Sequence, residues 1–93
     1  MSRKPPEFQP GAILHEVIVG AFRARGLTLN EWCKENGIKP MAARNSTFGQ
    51  ARGEKGQKVL DRMIDAAGRD FVRDAYRRRV VEQLDHLDHG AAL

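Results

Sequence analysis

The chain lacks most of what would commit it to a catalytic, secreted or membrane class. Cysteine occurs once, at Cys33, so no internal disulfide can form, and a lone thiol fits a reducing cytoplasm. No run approaches the ~18 apolar residues of a membrane span. The opening MSRKPPEFQPG has no apolar segment behind its two basic residues, so no secretory signal is expected there. Strand-like alternation, internal repeats and low-complexity tracts are all missing. Nothing catalytic assembles either, and no enzyme is expected. Cys33 has no histidine near it in sequence, and His15 has no second ligand beside it. His86 and His89 beside Asp85 and Asp88 have metal-ligand spacing, but a structural metal site wants four ligands rich in thiolate or imidazole. A fraying helix end is the simpler account, and no metal or cofactor is expected.

What remains is helical. Hydrophobic residues make up 41% of 93, enough for one small domain with a single core of four or five helices. Residues 1–10 hold three prolines and two basic side chains and read as a flexible arm. A first helix is expected from about Gly11 to Arg25, with Leu14, Val17, Ile18, Ala21 and Phe22 facing inward at helical spacing and Gly26 capping it. A fourth helix, about Gly56–Ala67, buries Val59, Leu60, Met63, Ile64 and Ala67, and Gly68 ends it. Asp70 is expected to cap a fifth helix reaching about Leu87, with apolar positions Phe71, Val72, Ala75, Tyr76, Val80, Leu84 and Leu87. Trp32 and Tyr76 sit in apolar stripes, which makes them core residues rather than stacking platforms.

Residues 28–48, TLNEWCKENGIKPMAARNSTF, read as a helix-turn-helix. Thr28 with Glu31 forms a capping box that starts a helix at Leu29. Leu29, Trp32 and Cys33 give that helix its apolar side. Gly37 ends it, because glycine reaches positive φ without a Cβ clash. Ile38 plugs the turn, and Pro40 suits the first turn of the next helix, where its missing N–H costs nothing. Cys33 is small enough for two helices crossing at ~90–120°. The third helix, about 40–48, is thereby offered to the major groove of double-stranded DNA. Against the pattern, it has only Met41, Ala42 and Ala43 as apolar residues before Phe48, with Ser46 and Thr47 where leucine is usual.

The charge distribution fits the same partner. Residues 1–38 carry five basic and four acidic side chains, residues 39–79 eleven and five, and residues 80–93 only Glu82, Asp85 and Asp88. Positive charge therefore begins at the third helix, as a phosphate-binding surface requires. Lys39, Met41, Arg44, Asn45 and Thr47 are the expected base-reading set. Arg44 matches guanine O6 and N7, and Asn45 matches adenine N6 and N7. Ser46 and Thr47 are either further contacts or part of the packed side. Thr28 and Asn30 at a helix start, and Gln50, Arg52, Lys55 and Lys58 around a glycine-punctuated loop (FGQARGEKG), suit the DNA backbone. Arg3 and Lys4 on the arm suit a neighbouring minor groove.

From Val17 to Ile64 the chain resembles the Ner-like repressors of transposable Mu-type phages, within the lambda-repressor-like group. The likeness rests on VIVGAFRARGLTLNEW, on Gly37, Pro40 and Asn45, and on KGQKVLDRMI. It implies a lambda-repressor-like, cofactor-free transcriptional regulator of double-stranded DNA, acting at the nucleoid of a bacterium or phage-infected cell. The family ends soon after its fourth helix, whereas RDFVRDAYRRRVVEQLDHL continues here as a long one. The expected organisation is an arm (1–10), a DNA-binding domain (11–68) and a C-terminal helix (69–93). Val80, Leu84 and Leu87 would bury in the core or meet a second copy in a homodimer. Two other readings are a protein-interaction adaptor or anti-activator using the C-terminal helix, and a DNA-bending accessory factor.

Overall fold

Leu14, Val17, Ile18, Ala21 and Phe22 recur at helical spacing, and all five are buried along one side of α1 (Ala12–Ala24). The structure, a computed structural model, describes residues 8–51 and 53–91. Among them it contains four further helices and no strand: α2 (Leu29–Asn36), α3 (Pro40–Thr47), α4 (Glu54–Ala67) and α5 (Arg69–Ala91). The described residues are thus all-α, with five helices, as the periodicity predicts. No helix among the described residues is long and apolar enough to cross a membrane.

The start and stop of α2 follow directly from its sequence. Thr28 Oγ1 accepts from the Glu31 N–H while the Glu31 carboxylate accepts from the Thr28 N–H, both at 3.1 Å. Two of the orphan donors at the helix start are satisfied in this way. Gly37 closes α2 at φ 66, and the Ile38 N–H bonds back to the Cys33 carbonyl at 2.9 Å. Pro40 is the first residue of α3.

The core joins α1, Trp32 and Cys33 of α2, Ala43 of α3, four α4 residues and Val72 of α5. Phe22 stacks on Trp32, ring centroids 5.7 Å apart, and so fastens α2 to α1. Arg62 reaches from α4 to the Asn36 side chain at 3.1 Å and lies 5.9 Å above the Trp32 ring. Arg25, just beyond α1, donates to the Ala66 carbonyl at 3.0 Å. A cation is thereby placed at the negative end of α4. Gly68 leaves the room for it, since a Cβ there would stand 2.7 Å from the Arg25 guanidinium.

Several expectations are corrected. Gly68 alone separates α4 from α5, and α5 begins at Arg69, so Asp70 is a first-turn residue paired with Arg73 at 3.0 Å rather than the cap. Phe71 is 57% exposed because Val72 takes the core position, and one residue turns a helix by ~100°. Helix α4 starts earlier than expected, at Glu54, which places Gly56 in its first turn rather than in a loop. Gly56 is there because the Ala51 backbone crosses it. A Cβ at this position would lie 2.7 Å from the Ala51 Cβ and closer still to its carbonyl oxygen. Phe8, assigned to the arm by its surroundings, is buried and meets Tyr76 edge-on at 5.5 Å, while the Gln9 N–H donates to the Tyr76 hydroxyl at 3.0 Å.

Candidate nucleic-acid interface

Helix α3 is two-sided despite its few apolar residues. Ala43, Ser46 and Thr47 face inward, and Lys39, Met41 and Arg44 face solvent, with Met41 69% exposed. The two polar inward residues are accommodated by hydrogen bonds that their position in a helix provides. Ser46 Oγ donates to the Ala43 carbonyl at 2.7 Å and Thr47 Oγ1 to the Arg44 carbonyl at 2.9 Å. Hydroxyls that bond back to the preceding turn can occupy positions where leucine is usual, because no buried polar group is left without a partner.

Thr47 is therefore not a base-reading residue. It is fully buried, and α1 holds it from two directions: the Gly11 N–H donates to its carbonyl at 2.8 Å, and His15 Nδ1 lies 2.8 Å from its hydroxyl oxygen. The Thr47 hydroxyl already donates to Arg44, so it must accept from His15. That places the neutral imidazole's proton on Nδ1. The His15 ring also stacks on Phe48 at 4.4 Å. Burial, then repulsion from Arg44, lowers the His15 pKa from the usual imidazole value, and Glu16 opposes the shift. These contacts tie the end of α3 to α1.

The remaining expected residues fall into two groups. Lys39, Met41 and Arg44 lie on the exposed side of α3, with Asn45 half-buried at its edge. Asn45 shares a groove with Ala42, Ala51, Lys55, Lys58, Val59 and Arg62, so the start of α4 lies alongside α3. The Asn45 carbonyl accepts from the Gln50 and Ala51 N–H groups, which folds the connecting loop back onto α3. Thr28 and Asn30 are exposed at the start of α2, but the Thr28 N–H is already bonded to Glu31. A carboxylate thus occupies part of the site a phosphate would use, and the Thr28 hydroxyl proton and Asn30 are what remain there. Arg3, Lys4 and Arg52 lie outside the described residues, as do the side chains of Leu87, His86 and His89.

Ion pairing concentrates the charge. Lys58 pairs with Glu54 at 3.6 Å, Arg69 with Asp61 and Asp65, Arg73 with Asp70, and Arg79 with Glu16 at 2.7 Å. Lys39, Arg44 and Lys55 have no carboxylate partner among the described residues. The pattern is visible only in three dimensions: these three gather on α3 and the start of α4, whereas Arg62, also without a carboxylate, is engaged with Asn36 and Trp32, and Arg77 and Arg78 lie apart on α5.

Cys33 is fully buried, and burial pushes its thiol pKa up, away from the reactive thiolate. No three His, Cys, Asp or Glu side chains among the described residues gather where they could share a metal ion. No protein-family model, curated protein or solved structure matches the chain.

Proposed function

We propose that this chain is a sequence-specific double-stranded DNA-binding transcriptional regulator, non-enzymatic and cofactor-free, that lays the exposed side of α3 in the major groove. The observation that carries this reading is the placement of Lys39, Arg44 and Lys55. None of the three has a carboxylate partner among the described residues, and unlike Arg62, which is engaged with Asn36 and the Trp32 ring, or Arg77 and Arg78 on α5, they border one helix whose inner side is fixed by the core. Arg44 is suited to a guanine edge, Asn45 to an adenine edge, and Lys55 and Lys58 to flanking phosphates. The likeness of Val17–Ile64 to Ner-like phage repressors points to the same class, and we place the protein's action at the nucleoid in a reducing cytoplasm.

Selection of bound duplexes by the purified protein tests this. A shared motif should be recovered from random fragments, and retention in a gel should fall sharply between low and moderate salt. Recovery of no motif, with no retardation even at low salt, contradicts the reading. In that case α5 would be the functional surface, as in the adaptor reading.

A further inference from the structure

We propose that α5 pairs with α5 of a second copy in antiparallel orientation, centred on Val81 with Leu84 beside it. The sequence pattern predicted a seam of Val80, Leu84 and Leu87. Val80 is instead half-buried, while Val81 is 59% and Leu84 57% exposed. At ~100° per residue Val81 stands about 180° around α5 from the core residue Val72, with Leu84 about 60° from Val81. The seam thus lies on the side away from the domain, where a second helix can approach without meeting α1.

The charges of α5 specify the occupant and its direction. Residues 69–79 carry five arginines and two aspartates, whereas from residue 80 onward there are three acidic residues and no Lys or Arg. The helix dipole favours the reverse, acidic side chains near the N-terminus and basic ones near the C-terminus. Helix stabilisation therefore does not account for the arrangement. A helix positive in one half and negative in the other is complementary to itself when reversed. Arg77 and Asp85 lie one turn before and one turn after Val81. In an antiparallel pair each Arg77 stands level with Asp85 of the second copy, and Arg78 stands near its Glu82. A parallel pair would set arginines against arginines and carboxylates against carboxylates. Antiparallel packing also opposes the two helix dipoles. The inference does not rest on DNA binding.

Sedimentation equilibrium of the full chain tests it, with circular dichroism to confirm folding. The wild type should show twice its 10.4 kDa chain mass. Leu84→Glu, and separately the double variants Arg77→Glu/Arg78→Glu and Glu82→Arg/Asp85→Arg, should show the single mass. An equimolar mixture of the two double variants should recover the doubled mass, because their halves are again opposite in sign. A wild type that stays monomeric at millimolar concentration overturns the proposal. So does a dimer that survives Leu84→Glu. A parallel pair would be unaffected by either charge reversal alone, and that result overturns the orientation.

Discussion

His15 Nδ1 and Thr47 Oγ1 stand 2.8 Å apart and join the first helix to the end of the third. Since Thr47 also donates to the Arg44 carbonyl, one buried hydroxyl links α1 to the turn of α3 that carries Arg44. Thr47→Val keeps the shape, removes both bonds and leaves His15 without its acceptor. Stability should fall by about 1–3 kcal/mol, measured by urea unfolding.

The same histidine makes stability depend on pH. Its pKa in the fold is lowered by burial and by Arg44, so the unfolded chain binds the proton more readily. Above the unfolded value of about 6.5 both states are neutral and His15 costs nothing. As the pH falls from there through the lower folded value, the unfolded state gains and stability is lost. Urea midpoints should therefore drop on acidification across that window, and His15→Gln should flatten the drop. A wild-type profile that rises on acidification there contradicts the assignment.

Gly56→Ala sets two opposing effects against each other. Alanine in a helix is favoured over glycine by roughly 0.5–1 kcal/mol. The new methyl would overlap the Ala51 carbonyl, and relieving such an overlap typically costs about 1–3 kcal/mol. The obstacle is backbone, so the second effect should win. The variant should unfold at a lower temperature than the wild type, and a rise would show that the loop gives way freely.

These three residues also mark where the sequence stops being legible. The capping box, Gly37 and Pro40 are local signals, and α2 and α3 begin and end where those signals put them to within a residue. The stripe of α1 was equally readable, because its period is intrinsic to the helix. Thr47 was not, since its fate depends on His15, 32 residues away, and on a hydroxyl that satisfies itself within its own turn. Gly56 looked like loop punctuation because glycine has the same local signature whether it turns the chain or admits a neighbour. Phe8 reaches the core through Tyr76, 68 residues on, and the proline-rich sequence around it gave no hint of that. The basic segment was plain in sequence, but which of its cations remain unpaired was not, because Arg79 finds Glu16 only in the folded chain.

Lys55 and Lys58 separate phosphate contact from base reading. Each replaced by alanine should weaken binding to all duplexes alike and flatten the log–log salt dependence by about one unit. The Lys58–Glu54 pair is exposed and weak, so it should not withhold Lys58 from DNA. Fluorescence anisotropy across a salt series checks both slopes. An unchanged slope would place these lysines away from the duplex.

Arg44→Ala tests the central claim most directly. Arg44 is exposed on α3 and carries no ion pair among the described residues, and alanine favours helix, so folding should be intact by circular dichroism. Anisotropy titrations would compare the best selected site with a scrambled duplex, for wild type and variant. The specific site should lose about 1–3 kcal/mol and tolerate replacement of one base pair, a guanine contact by its chemistry, while the scrambled duplex loses far less. Equal losses on both duplexes, or no loss on either, would contradict base reading by Arg44 and by the α3 face that presents it.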